Sequence, residues 1–266
     1  MKRILTALVL VPLVVALVLW GPPYLLVAVQ LLITLAGLWE FFRLAETATG
    51  VQPLRFPGYM FAAAIAPLSL SVSLPQGIVT VAMLFLMVVL VAAMLPGRAL
   101  ADYLKSVSAT LLGVLYVAVP LCLLVWVCLQ RDGPYWTLFT LIVIWVGDSV
   151  AFLVGSAFGK HKSFPRISPS KTWEGTAASF GAALWVGLLY ALFFWEGDRP
   201  WQLVVFAASL NIAGQLGDLA ESALKRSAGV KDSSQLIPGH GGVLDRIDAL
   251  LFAAPILWYY WLWKAS

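Results

Sequence analysis

Repeated apolar runs of 17 or more residues, separated by short polar connections, most narrow what this chain can fold into. As a helix, a run of that length crosses about 30 Å of hydrocarbon. Inside a bilayer every backbone N–H and C=O must be satisfied by the protein itself, which leaves helices and closed barrels as spanning structures. Barrel strands read as short alternating segments, whereas these runs are continuous, so the sequence predicts an all-α, polytopic helical membrane protein. With 61% hydrophobic and 11% charged residues, the chain falls outside the class of water-soluble globular enzymes.

The runs fall at roughly 4–20, 24–39, 58–74, 77–95, 107–130, 135–158, 173–195, 201–223 and 243–263, which predicts about nine transmembrane helices. Met1-Lys2-Arg3 ahead of the first run has the layout of a secretory signal, but no small-x-small cleavage site precedes Gly21-Pro22-Pro23, so the run reads as a retained helix. A cytoplasmic N-terminus puts 14 of the 17 Lys and Arg residues inside and leaves only Arg131, Arg199 and Lys264 outside. That orientation gathers the two most basic connections on the cytoplasmic face. Residues 1–134, with about five spans and few charges, read as a scaffold; residues 135–266, with about four spans, read as the catalytic region. Cys122 and Cys128 share one run, six residues apart, and imply no disulfide. The tail Trp258-Tyr259-Tyr260-Trp261-Leu262-Trp263 reads as an interfacial anchor.

Three polar clusters interrupt this pattern. Asp148 stands in Gly147-Asp148-Ser149 within an apolar run, where a carboxylate at the bilayer centre costs about 2.5–3.5 kcal/mol on insertion scales and demands a partner or a wet cavity. In the second, Lys160, His161 and Lys162 lead to Ser168-Pro169-Ser170-Lys171-Thr172 and Trp173-Glu174-Gly175. Pro169 keeps Ser168 extended and Thr172 is placed to cap the next helix, so its first N–H groups would converge with Lys171 on an anion such as phosphate. Gly155 and Lys160 do not make a phosphate-binding P-loop, because the glycine spacing is wrong and His161 follows the lysine.

The third cluster is the densest in charge. Asp218, Glu221 and Lys225 recur at i, i+3 and i+7 on one helical face, and Asp245 and Asp248 at i, i+3 on another. Between them lie Arg226, Lys231, His240, Gly241 and Gly242. Two helix ends would thus aim carboxylates into one pocket if the helices pack antiparallel. One or two carboxylates, completed by water and substrate phosphates, are what Mg²⁺ takes, and neighbouring Lys and Arg neutralise further phosphate charge. Gly241 and Gly242 let backbone approach a ligand closely. No Ser or Cys forms a triad with either histidine.

Ser222-Ala223-Leu224-Lys225-Arg226, then Lys231-Asp232, then Ile237-Pro238-Gly239-His240-Gly241-Gly242-Val243-Leu244-Asp245-Arg246-Ile247-Asp248 resemble the signature of the phosphatidate cytidylyltransferases (CDP-diacylglycerol synthases), without departure over 27 positions. Asp148, Phe158-Gly159-Lys160-His161-Lys162 and the Ser168–Gly175 stretch also look like that family, with small departures at Ser149-Val150-Ala151 and Ser170. The resemblance implies that CTP and phosphatidic acid give CDP-diacylglycerol and pyrophosphate, in phospholipid biosynthesis, with Mg²⁺, one or two cations, required.

On that basis Asp218 and Asp245 are the expected metal ligands, supported by Glu221, Asp248 and Asp148. Lys225, Arg226, Asp248 and His240 join Asp218 and Asp245 in the catalytic set. Ser168, Ser170, Lys171, Thr172, Lys231, Arg246, Gly241 and Gly242 are expected to bind substrate. The expected partners are CTP, phosphatidic acid, the bilayer and a second copy of the chain, and nucleic acid is not among them. The active site is expected on the cytoplasmic face of the cytoplasmic (inner) membrane. Two rival readings differ in kind: a nucleotidyltransferase or kinase acting on another lipid, and an ion-coupled secondary transporter. A transporter predicts charges spread through the membrane and an internal repeat. Here the charges gather at one face and no repeat is found.

Overall fold

In the computed structural model, residues 2–71, 74–95, 99–194, 199–236 and 241–265 are described. Helix occupies every predicted apolar run: α1 (Lys2–Trp20), α2 (Pro23–Thr49), α3 (Arg55–Ile65), α4 (Leu74–Ala92), α5 (Tyr103–Gly113), α6 (Val119–Cys128), α7 (Gly133–Phe158), α8 (Trp173–Phe194), α9 (Trp201–Ser227) and α10 (Leu244–Ala265). Among the described residues five helical stretches are long and apolar enough to cross a membrane: α2, Leu100–Cys128, α7, α8 and α9. Leu32, Phe152 and Phe193 turn outward on these helices, 68%, 73% and 74% exposed. Such apolar surface suits a lipid solvent and would drive association in water. The protein is a helical integral membrane protein.

Within Leu100–Cys128, residues Val114–Ala118 form a π-helical turn between α5 and α6, closed by the Val119 N–H on the Val114 carbonyl. Pro120 follows immediately and has no N–H to donate, so the wider turn re-registers the helix instead of breaking it.

The chain divides into two compact units. The first holds Met1–Pro134 and Leu224–Ile247. Its core packs α2 against α3, α5 and α6, around Leu38, Phe41, Phe42, Phe61, Ile65, Val114 and Val117, all at most 3% exposed. Phe41 and Phe42 meet edge-on, their ring centroids 6.2 Å apart. A Cβ at Gly113 would lie 2.6 Å from the Phe41 ring and 2.8 Å from the Phe42 ring, closer than packed atoms tolerate. Gly113→Ala should therefore cost about 1–3 kcal/mol through overpacking, read as a lower melting temperature in detergent; an unchanged melt would show that the rings yield freely. Cys122 and Cys128 are both buried on α6 and are not disulfide-bonded to each other.

The second unit holds Tyr135–Ala223 and Asp248–Ser266. Trp136, Phe139, Tyr190, Phe206 and Tyr260 form an aromatic core in which Phe206 and Tyr260 stack at 3.8 Å. The aromatic tail is thus divided, Tyr260 packing inward while Tyr259 stays 70% exposed. Small residues bring helices close here: a Cβ at Gly217 of α9 would meet the Asp248 carbonyl of α10 at 2.5 Å.

One element departs from the all-helical expectation. Lys162–Phe164 (β1) and Ser168–Thr172 (β2) pair antiparallel, with Lys162 opposite Thr172 and Phe164 opposite Ser168. The strands are short and polar, so no alternating apolar pattern announces them. Tertiary contacts pin them instead: Trp173 N–H donates to the His161 carbonyl at 2.9 Å, and Phe164 packs on Trp173 with centroids 6.0 Å apart.

Candidate active site

In the first unit a polar centre forms where the end of α9, the following loop and the first turn of α10 meet α2. Lys225 Nζ donates to Asp245 Oδ1, and the two side chains are only 11% and 10% exposed. Asp245 Oδ2 accepts from Gly242 N at 2.7 Å, Ser233 Oγ at 2.8 Å and Ser233 N at 3.0 Å. Lys225 on one oxygen and two backbone N–H groups on the other match an ionised acceptor, and the Ser233 hydroxyl lies within reach of the second oxygen. Gly241 takes φ +79°, a conformation favouring glycine, and a Cβ there would meet Asp245 Oδ2 at 2.6 Å.

A residue outside the three polar clusters, which sequence reasoning does not single out, completes this centre. Glu40 of α2 is fully buried. Its Oε1 accepts from Ser234 Oγ at 2.6 Å and Val243 N at 2.9 Å, and its Oε2 from Leu244 N at 2.7 Å and Ser233 Oγ at 2.9 Å. A Cβ on Gly242 would overlap Ser233 Oγ and both Glu40 oxygens, which explains glycine at that position. The sequence signal was faint: Glu40 directly follows the apolar run 24–39, between Trp39 and Phe41-Phe42, and α2 continues past it to Thr49. Sequence alone could not supply its partners, which lie more than 190 positions away.

Arg226, Lys231 and Arg246 are exposed in the same region, Arg226 donating to the Val230 carbonyl at 2.9 Å. His240, with Ile237, Pro238 and Gly239, lies outside the described residues.

In the second unit the centre is built on α7, α8, α9 and the hairpin. Lys171 Nζ, at the end of β2, lies 2.8 Å from Asp218 Oδ2 and 3.5 Å from the Gln215 carbonyl. Asp148 of α7 is within electrostatic reach of both Asp218 and Lys171. Two carboxylates therefore face one ammonium, which leaves an excess negative charge. Thr172 caps α8, its hydroxyl accepting from Gly175 N at 3.2 Å, and is itself buried, so its side chain serves the helix start. Ser168 and Ser170 lie on β2 with hydroxyls 3.5 Å apart. His161 Nδ1 stands 2.7 Å from Glu174 Oε1, fastening the hairpin to α8. Below Lys171, Gln215 Nε2 donates to Asn211 Oδ1 at 2.6 Å, and Asn211 Nδ2 to Ser179 Oγ at 2.9 Å. Gly147 makes room for this ladder, since a Cβ would lie 2.5 Å from Asn211 Nδ2. Glu221 is fully buried, and Asp248 Oδ1 accepts from Ala249 N at 2.8 Å.

Among the described residues no three His, Cys, Asp or Glu side chains form a metal cage. The donor set still suits a hard cation, because Mg²⁺ is commonly held by one or two carboxylates while water and substrate phosphates complete the octahedron. Asp218, 40% exposed, and Asp148, also exposed, offer such oxygens.

A mostly apolar groove of about 390 Å³ opens between α8 and α9, lined by Phe164, Trp173, Ala177, Phe180, Leu216 and Leu219 together with the polar Lys171, Thr176 and Gln215.

The sequence model of the cytidylyltransferase family matches residues 1–263. The chain belongs to the cytidylyltransferase family. As a cytidylyltransferase-family member, it resembles proteins named phosphatidate cytidylyltransferase from Staphylococcus saprophyticus and Staphylococcus haemolyticus, each 42% identical over 128 residues, and from Staphylococcus aureus, 41% identical over the same length. Each alignment covers 48% of this chain, and this cytidylyltransferase-family chain spans about half (49%) of the length of each of these relatives. The family match takes in α2 and Glu40, well outside the signature residues.

Proposed function

We propose that this protein transfers the cytidylyl group of CTP to phosphatidic acid, giving CDP-diacylglycerol and pyrophosphate. Membership of the cytidylyltransferase family and relatives named for that activity support the reading. The observation that carries the lipid half is the groove between α8 and α9, where the Lys171 cation lines a mostly hydrocarbon and aromatic cleft with Thr176 and Gln215 as its other polar side chains. An anionic headgroup on an apolar tail fits that lining.

The phosphate monoester of the lipid is already an anion near neutral pH, so a nonbridging oxygen attacks the α-phosphorus of CTP without a dedicated base. The new P–O bond forms as the bond to the β-phosphate bridging oxygen breaks, and pyrophosphate leaves with that electron pair. Alignment and charge neutralisation are the protein's task. Lys171 holds the lipid phosphate. Lys225, Arg226, Lys231 and Arg246 serve the triphosphate, with Asp245 orienting Lys225. Asp218 and Asp148, and by the spacing argument Asp245, are the residues that would hold Mg²⁺, with Glu221 and Asp248 behind them. When bound, the ion neutralises charge on the phosphates. About nine spans, a cytoplasmic N-terminus and a site facing the cytoplasm, where CTP is available, complete the proposal.

The test is purified protein in detergent–lipid micelles with CTP, Mg²⁺ and phosphatidic acid. A CDP-lipid formed with stoichiometric pyrophosphate is expected; no CDP-lipid, with lipid-independent solute uptake in vesicles instead, would end the proposal. Filling the groove through Ala177→Trp should raise KM for the lipid about tenfold while KM for CTP stays within twofold. Equal increases in both would remove the groove from the lipid's path.

A further inference from the structure

Glu40 buries a carboxylate in an apolar helix, which is tolerated only where donors replace its water. Its four donors come from one short stretch of chain: the hydroxyls of Ser233 and Ser234 and the N–H groups of Val243 and Leu244. The last two are N–H groups at the start of α10, which have no partner within their own helix. Glu40 therefore caps α10 from across the unit, and its charge lies at the positive end of that helix. The residue after Leu244 is Asp245, partner of Lys225.

Ser233 joins the two carboxylates. Its Oγ lies 2.9 Å from Glu40 Oε2 and 2.8 Å from Asp245 Oδ2, yet a hydroxyl carries a single proton and serves one of them at a time. Ser234 touches Glu40 alone among these acids.

We infer that Glu40 is a positioning residue for nucleotidyl transfer: it fixes the start of α10 and, through Ser233, the direction in which Asp245 and its paired Lys225 face the substrate. The inference rests on the proposed transferase reading for its kinetic readouts, whereas its structural readout is independent of that reading.

Glu40→Gln places an amide NH₂ against a backbone N–H at one of the two oxygens. It should lower kcat about 10–100-fold, the effect typical of residues that orient a reacting group. The half-saturating Mg²⁺ concentration should rise severalfold, with KM for the lipid unchanged. In the metal-free protein the amides of Val243 and Leu244 should exchange with deuterium at least tenfold faster. The serines separate positioning from a plain structural clamp. Both lose one hydrogen bond to Glu40 on mutation to Ala, but only Ser233 also reaches Asp245, so Ser233→Ala should cost several times more kcat than Ser234→Ala at similar melting temperatures.

Equal losses in the two serine variants, tracking their melting temperatures, would overturn the inference, as would wild-type turnover and Mg²⁺ dependence in Glu40→Gln. If Glu40→Gln does not fold, the serine pair decides alone. Wild-type protein that forms no CDP-lipid defeats the transferase reading instead. Exchange then decides this inference, and unchanged Val243 and Leu244 protection in Glu40→Gln overturns it.

Discussion

Asp245→Asn is expected to lower CTP-dependent turnover by about 10²–10³-fold, the loss typical when one preorganised electrostatic group is removed from a reaction centre. The side chain keeps its size, so the effect isolates charge and hydrogen-bond polarity. Asp245 accepts from Lys225 on one oxygen and from Gly242 N, Ser233 N and Ser233 Oγ on the other. An asparagine can offer an oxygen to only one of those sets. In both orientations Lys225 loses its anion in a largely buried place; in one it also faces the NH₂, and in the other two backbone N–H groups do. Breaking one partner of a buried pair costs about 3–5 kcal/mol, so a lower melting temperature should accompany the kinetic loss. Turnover should be followed over graded Mg²⁺ on protein shown by circular dichroism to be folded. Near wild-type turnover at saturating Mg²⁺ would take Asp245 out of the metal set and out of the catalytic centre.

Lys171→Met is expected to have the second-largest effect, a loss of about 10²-fold in kcat/KM for the lipid, from removal of a charged contact to a phosphate. The methionine preserves the apolar stem that lines the groove, so packing is retained while the ammonium is lost. Asp218 loses the cation 2.8 Å away, and Asp148 loses the charge that offsets its neighbour. The two substrates separate two roles of Lys171. If it grips the lipid phosphate, Lys171→Met raises KM for the lipid while KM for CTP stays within twofold; if it only neutralises Asp218, both KM values and the half-saturating Mg²⁺ concentration shift together. Equal changes in the two KM values would contradict the lipid-phosphate assignment.

What is legible in the sequence is local. Apolar run length marks where helix forms, since a run long enough to span a bilayer has few alternatives there. The Thr172 cap follows from residue type and the helix start just after it, and the structure places its hydroxyl on Gly175 N. The density of charge between Asp218 and Asp248 is equally plain. Pairings that close over long sequence separations are not. Lys225 and Asp245 both stand out, but their pairing depends on how the loop folds back. Glu40 does not stand out, because nothing around it in sequence is polar enough to suggest four donors, and those donors come from the far end of the chain. The Lys162–Thr172 hairpin is hidden because its stability comes from Trp173 and Glu174 contacts and not from strand periodicity.

Nucleotidyl transfer to a lipid phosphate is distinguished from every phosphoryl transfer by where a phosphorus label ends up. Purified protein is given phosphatidic acid with CTP carrying ³²P at either the α or the γ position, and the lipid is extracted. Label is expected in the lipid from α-labelled CTP only, with γ-label recovered in pyrophosphate. Label passing from the γ position into the lipid, with phosphatidic acid or diacylglycerol as acceptor and CDP released, would identify a lipid kinase and rule out cytidylyl transfer.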